Sequence, residues 1–258
     1  MSAPLLNPPP GDSAERAAAK ETIWRLAALA FSHPTAEMHA AFASGDFHRA
    51  FDHAWSGITG RHRPTARPSS DFKDFEAGYI TAFLHGPKGK PIASLLAGDH
   101  ERLLAGHARP VFMLNITAFY RHFGLKAATE DEGRTDEPDH LASMLEFMAV
   151  LSHLEANALG QGKDPSSYRR AERDFLYRYL APMLRTVGAC LRSGLVKDLD
   201  LTITQLAEEL PVWADGQVGE LEARVGPYRD PDASGGLARP QNGQVAAGDR
   251  VVDQNLWG

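Results

Sequence analysis

The apolar positions along the chain recur every three or four residues and nowhere alternate over a long stretch, which predicts helices throughout and no sheet. Residues 1–11, with Pro4, Pro8, Pro9 and Pro10, read as a loose arm. Asp12 followed by Glu15 has the spacing of a capping box. The segment from Ser13 to Phe31 then places Ile23, Leu26, Ala27 and Ala30 on one face. Shorter helical pieces are expected over Ala36 to Ala43 and Phe47 to Trp55, followed by a polar loop, 57–70, with Pro64 and Pro68. Ser70 is placed to cap the next helix, where Phe72, Phe75, Tyr79 and Phe83 form an aromatic stripe running into the loop from His85 to Pro91.

Further on, Val111 to Phe123 reads as a helix closed by Gly124, and residues 125–137 are polar and acidic. A long helix is expected from Pro138 to Leu159, with Leu141, Leu145 and Met148 on one face, Met144 and Leu151 beside them, and Gly160 and Gly162 as its stop. Ser167 opens another helix, with Phe175, Leu176, Tyr179, Leu180, Met183, Leu184 and Val187 facing inward and Pro182 expected to kink it. The last clear helix covers Leu199 to Leu210 through Ile203 and Leu206. From 226 on, nine of 33 residues are Gly or Pro and large apolar residues are few. The expected architecture is therefore an all-α, single-domain bundle over 12–225, with an irregular N-terminal arm and an irregular tail over 226–258. No internal repeat stands out.

Composition narrows the function classes. The net charge is −6 and the pI about 6.0, a balance that disfavours nucleic acid or an anionic membrane as partner and suits a basic ligand. The single cysteine, Cys190, has no internal disulfide partner, which fits a reducing compartment. The longest apolar run, Leu26 to Phe31, is far short of the roughly 20 residues a spanning helix needs. Met1 to Lys20 lacks the basic-then-apolar pattern of a secretory signal, and Arg169-Arg170 lies too deep in the chain to be an export signal; a cytoplasmic protein is expected.

Catalytic motifs are sparse. Eleven histidines are present, but Glu-x-x-His occurs once, as Glu137 to His140, where a di-iron bundle needs two. There is no His-Glu-x-x-His, and one cysteine cannot build a structural zinc site. Cys190 sits in an apolar helical pattern as an inert buried thiol would, and no Gly-x-Ser-x-Gly elbow exists. Gly86 to Lys90 lacks Walker spacing and reads as a polar turn. No metal, no cofactor and no catalysis are expected.

The most informative segment is Asp136 to His140. Pro138 suits a first helical position, and carboxylates there favour the positive end of the helix dipole, which accounts for the segment as a plain helix start. Its surroundings add more. Residues 130–140 hold six acids (Glu130, Asp131, Glu132, Asp136, Glu137 and Asp139) against one Arg, and they lead into Met144, Phe147 and Met148. An acidic patch beside an adaptable Met- and Phe-rich surface suits a peptide that is basic, then apolar, although such a stripe is more often plain core.

The segment Glu137-Pro-Asp-His-Leu-Ala-Ser-Met-Leu-Glu-Phe-Met148 resembles the E-P-D-H block of the TorD/DmsD/NarJ family of redox-enzyme maturation chaperones. Phe75-Glu-Ala-Gly-Tyr79 through Phe83, Pro91 to Ser94 with Asp99-His-Glu101, Phe119-Tyr-Arg-His-Phe-Gly-Leu125, and Arg173 to Leu191 with its mid-helix Pro match further family blocks in the same order, so the resemblance spans roughly 20–210. It implies an all-helical fold and a non-catalytic partner role: binding the twin-arginine signal peptide and apo form of a molybdenum oxidoreductase's catalytic subunit, with cofactor insertion before export. The pattern is similar to the subgroup serving type II dimethyl-sulfoxide-reductase enzymes. Where the family's turn often carries an aromatic after its prolines, Ile92, Ala93 and Ser94 follow Pro91, and the tail after 226 has no family counterpart.

The resemblance implicates Asp139 and His140, with Tyr79, Phe83, Pro87 and Pro91, in peptide binding. The expected mechanism places the apolar part of the peptide against Tyr79, Phe83 and the Met144 to Met148 helix, and its arginines against Glu137, Asp139 and neighbouring acids beside Pro138. His140 would orient Asp139 or a ligand group. A monomer is expected, with no nucleic acid and no membrane insertion. The rival readings are a helical module for another peptide and a metal-dependent enzyme centred on His140.

Overall fold

The computed structural model describes residues 13–66, 68–86, 88–125, 137–194 and 198–229. The expectations for the 1–11 arm, Asp12, Pro87, the acids from Glu130 to Asp136 and the tail beyond 229 lie outside these residues.

Helix α1 spans Ala14–Phe31 and is capped by Ser13, whose hydroxyl accepts from Arg16 N at 3.1 Å. It is the central element. It packs most extensively on α6 (Leu141–Gly160) and also on α3 (Asp46–Thr59). The many alanines of α1 permit this: Ala27, Ala28 and Ala30 are buried together with Ile23, Trp24 and Phe31, so the helix is surrounded rather than one-sided. Helix α2, Ala36–Ala43, is capped by Thr35, and Gly45 at φ +76° turns the chain into α3, which buries Phe47, Phe51, Ala54 and Ile58.

Helix α4, Phe72–Tyr79, is capped by Asp71 rather than Ser70: the Asp71 carboxylate accepts from Asp74 N at 2.9 Å, while the Ser70 hydroxyl donates to the Asp74 side chain. A π-helical turn, Ile80–Leu84, continues it. Short 3₁₀ turns, Ala97–Asp99 and Glu101–Leu104, lead to α5, Arg109–His122. Helix α6 begins at Leu141, three residues after the expected Pro138, because Glu137 to Asp139 form a turn and His140 is the cap. Helix α7, Ser166–Phe175, passes through a second π-turn, Leu176–Leu180, into α8, Ala181–Gly194. That wide turn lies just before Pro182, which has no N–H to give to the preceding turn, so the expected kink takes the form of a register change. Helix α9 runs Leu201–Val225, past the expected end at Leu210 and through the buried Pro211.

Helices α1, α6 and α7 share a buried ionic cluster. Lys20 Nζ pairs with Glu155 and, at 2.8 Å, with Glu172; Arg169 Nε donates to Glu155 at 2.6 Å; the Ser152 hydroxyl donates to Glu172 at 3.0 Å. Among the described residues no helix is long and apolar enough to cross a membrane.

Gly78, inside the aromatic stripe, sits where a Cβ would lie 2.1 Å from the main-chain oxygen of Asp198. Backbone cannot yield as a side-chain tip can. Gly78→Ala is therefore expected to destabilise the protein by about 1–3 kcal/mol in urea unfolding; an unchanged midpoint would show that α4 slides freely away from the start of α9.

Candidate functional site

Two short stretches far apart in sequence meet at the start of α6. Ala97 N donates to the Asp139 carbonyl at 3.0 Å and Leu141 N to the Leu95 carbonyl at 2.8 Å, so Leu96 and His140 form an antiparallel bridge. The Pro91 to Ala97 segment is anchored at its other end by Ile92 N and Ala93 N, both 2.9 Å from the Ala82 carbonyl. It thus ties the end of the aromatic stripe to the E-P-D-H turn.

Asp139 is fully buried. Its Oδ2 accepts from Gly98 N at 2.7 Å, and a Cβ on Gly98 would stand 2.8 Å from that oxygen and 2.5 Å from Arg109 Nε, so any larger residue there would push both side chains aside. Arg109, the first residue of α5, places its guanidinium among three carboxylates: 3.3 Å from Asp99 Oδ1, 3.3 Å from Glu137 Oε2 and 4.0 Å from Asp139 Oδ2. Asp99 also accepts from the Ser94 hydroxyl at 2.6 Å. The positive end of α6 lies directly behind Asp139, since the Nδ1 of His140 accepts from Ala142 N at 3.2 Å as the cap. The Tyr120 hydroxyl donates to the Pro138 carbonyl at 2.7 Å, pinning the turn against α5. Burial, with Asp139 and Glu146 nearby, holds the Tyr120 phenol far above its usual range.

The structure brings Glu137, Pro138, Asp139 and His140 together with the Pro91 segment, and it corrects the expected apolar groove. Tyr79, Phe83, Met144 and Met148 are core residues, none more than 3 % exposed. The Tyr79 hydroxyl is spent on the Phe31 carbonyl at 2.9 Å. These side chains hold the fold beneath the site and present no surface to a ligand. Pro87 lies outside the described residues.

An open groove of mixed aromatic and polar lining exists elsewhere, between α5, α7 and the second π-turn. It has a volume of about 590 Å³ and is lined by Ala118, Phe119, Phe123, Tyr168, Ala171 and Tyr179, with His122, Asp174 and Arg178 among its polar groups. Val111 and Leu114, exposed on α5, lie between the carboxylate cluster and this groove along the helix. Sequence reasoning passed over both Arg109 and the groove. The Phe119 to Leu125 block pointed to the end of α5 but not to a cleft beside it. Among the described residues no grouping of His, Cys, Asp and Glu could hold a metal ion.

The sequence profile described as nitrate reductase delta subunit matches residues 38–187. The chain is 52 % identical over the full length of both proteins to a dimethyl sulfide dehydrogenase assembly chaperone of Rhodovulum sulfidophilum. It is 31 % identical, over 75 % of this chain and 87 % of the relative, to a perchlorate reductase assembly chaperone of Dechloromonas aromatica (strain RCB). A selenate reductase assembly chaperone of Thauera selenatis is 36 % identical over 51 % of this chain and 63 % of its own. No solved structure matches the chain significantly.

Proposed function

The chain belongs to the nitrate reductase delta subunit family, the group of the NarJ- and TorD-type chaperones, and on that premise we propose that it is a non-catalytic assembly chaperone for the catalytic subunit of a molybdenum oxidoreductase. Its ligand is the client's signal segment, two arginines followed by an apolar stretch, bound in the cytoplasm before cofactor insertion and export. Names of the relatives support the assembly role: three similar proteins are called assembly chaperones of a dehydrogenase or reductase.

The observation that carries the ligand chemistry is the order of groups along α5. Asp99, Glu137 and Asp139 gather at its N-terminal end, Val111 and Leu114 stand exposed in the middle, and the aromatic groove flanks its C-terminal half. Fourteen residues of helix span roughly 21 Å, a length that six or seven extended residues cover. A basic pair and the apolar run after it fit that order. Charge would steer the encounter, and apolar burial would hold the complex.

The test is co-expression of the tagged chaperone with the catalytic subunit of a molybdenum oxidoreductase from the same organism, in three forms: intact, without its signal segment, and with the arginine pair changed to glutamines. Capture of the intact form, weakened at least about tenfold in the other two, is the expected result. Equal capture of all three would remove signal recognition and leave a chaperone for the mature subunit. Capture of none would remove the chaperone reading.

A further inference from the structure

We propose that Arg109 is an internal stand-in for a client arginine: it fills an acidic receptor made by Asp99, Glu137 and Asp139 in the free protein, and an arginine of the client displaces it on binding. This rests on the signal-segment reading above and adds how that site is regulated.

Three features carry it. First, the carboxylates come from separate parts of the chain, the 3₁₀ turn at Ala97–Asp99 and the turn before α6, yet all three converge on one guanidinium within 4.0 Å. One cation against three anions leaves the cluster net negative, so it retains attraction for a second guanidinium. Second, Asp139 is fully buried, with its Oδ2 facing Arg109, and its Oδ1 accepts no hydrogen bond among the described residues. A buried carboxylate oxygen in that state is costly, so Arg109 as placed leaves this carboxylate incompletely satisfied. Third, the hold on Arg109 is loose. Both direct contacts are 3.3 Å, longer than the 2.7–2.9 Å of a well-formed charged pair. The side chains of Arg109, Asp99 and Glu137 are 42 %, 39 % and 44 % exposed. The Arg169–Glu155 pair in the core, at 2.6 Å, shows what a committed pair looks like in this protein. Arg109 is held as a replaceable cation, and its guanidinium, at the tip of a long side chain, can swing into solvent without disturbing α5.

Competition for one receptor makes a specific prediction. Removing the competitor must tighten the complex, whereas removing a mere structural support would weaken it. The experiment measures, by calorimetry with the full chain, binding of three synthetic peptides that differ at one pair of positions (Arg-Arg, Lys-Lys or Gln-Gln) ahead of the same apolar stretch. For Arg109→Gln, the Kd of the Arg-Arg peptide is expected to fall about two- to fivefold, the range that partly exposed ion pairs support. The Gln-Gln peptide should bind as it does to the unaltered chain, and Arg109→Lys should lie between. On the unaltered chain, the Arg109 Nε–H signal in NMR should shift when the Arg-Arg peptide is added and stay when the Gln-Gln peptide is added, a readout that needs no variant to fold.

Unchanged or weaker binding of the Arg-Arg peptide by Arg109→Gln would overturn the stand-in role while leaving signal recognition intact. Equal tightening of the Arg-Arg and Gln-Gln peptides would overturn it too, since the gain would not depend on arginine. An Arg109 signal indifferent to a peptide that binds would do the same. Failure of every form to bind any peptide would overturn this proposal and signal recognition together, with the co-expression test deciding whether the assembly role survives.

Discussion

Lys20→Met is expected to cost about 3–5 kcal/mol of stability, because it leaves Glu155 and Glu172 in the core with only Arg169 to balance them. For a chain of this size that lowers Tm by roughly 6–20 °C. Lys20, Glu155 and Glu172 are almost wholly excluded from water, so neither charge left behind can be hydrated in place. The cluster is neutral as a whole: two cations, two carboxylates, and a serine hydroxyl on Glu172. Neutrality is what Lys20→Met breaks, and Glu172→Gln restores it with little change of shape. The double variant Lys20→Met/Glu172→Gln should therefore be more stable than Lys20→Met alone, by at least about 1 kcal/mol in urea unfolding. A single variant within about 1 kcal/mol of the parent would show that water reaches the cluster.

Acid should act on the same cluster in opposite directions. Burial alone pushes the Glu155 carboxyl up, but Lys20 and Arg169 outweigh it and hold Glu155 below the usual carboxylate range. Stability from Glu155 is thus present above the ordinary carboxylate pKa and lost as pH falls through the depressed value. For Glu172 burial wins, and its carboxyl stays above its ordinary value, so protonation there relieves the fold. Glu220 behaves as Glu155 does: burial raises it, and Arg16 and Arg224 more than offset that.

Among the described residues helix order was legible because most segments carry their own apolar period and their own stop, as α6 does at Gly160 and Gly162. Boundaries were less so. Ser13, Asp71 and His140 each cap a helix within a residue or two of a competing polar group, and only main-chain geometry decides between them. Helix α9 ran through Pro211, where a proline argues locally for a break and burial of Trp213, Ala214 and Leu221 argues the other way. The buried ionic cluster was invisible because its members, Lys20, Glu155, Arg169 and Glu172, each look like ordinary solvent-facing charges until α1, α6 and α7 meet. The candidate site shows the same limit. E-P-D-H was readable as a unit, but its partners Gly98 and Asp99 come from a turn with no periodicity of its own, and Arg109 stands at the very start of α5, outside that helix's apolar stripe. The aromatic and methionine stripe was readable as a pattern yet not as core or groove, since either use has the same spacing.

Asp139→Ala is expected to destabilise the fold by about 1–3 kcal/mol, and this separates two roles that the E-P-D-H turn combines. The Asp139 side chain is buried, approached only by the Arg109 guanidinium at 4.0 Å, and its Oδ2 satisfies the Gly98 amide beside the bridge to Leu95 and Ala97. Removing it orphans that amide and loosens the strap that places Asp99 opposite Arg109. Asp139→Asn can keep an oxygen acceptor for Gly98 and should retain most of the stability while removing the charge. His140→Ala removes the cap of α6 and should cost about 0.5–2 kcal/mol more. The joint Asp139/His140 alanine variant therefore lowers affinity and also lowers stability, by roughly 1.5–5 kcal/mol if the costs add. Glu137→Gln, at an exposed and loosely held carboxylate, should lower affinity for an arginine peptide by about two- to fivefold at unchanged stability. Urea unfolding beside peptide titration checks the pattern. Full stability in Asp139→Ala would show that the strap holds without its carboxylate, and any loss of affinity in that variant would then come from the missing charge alone.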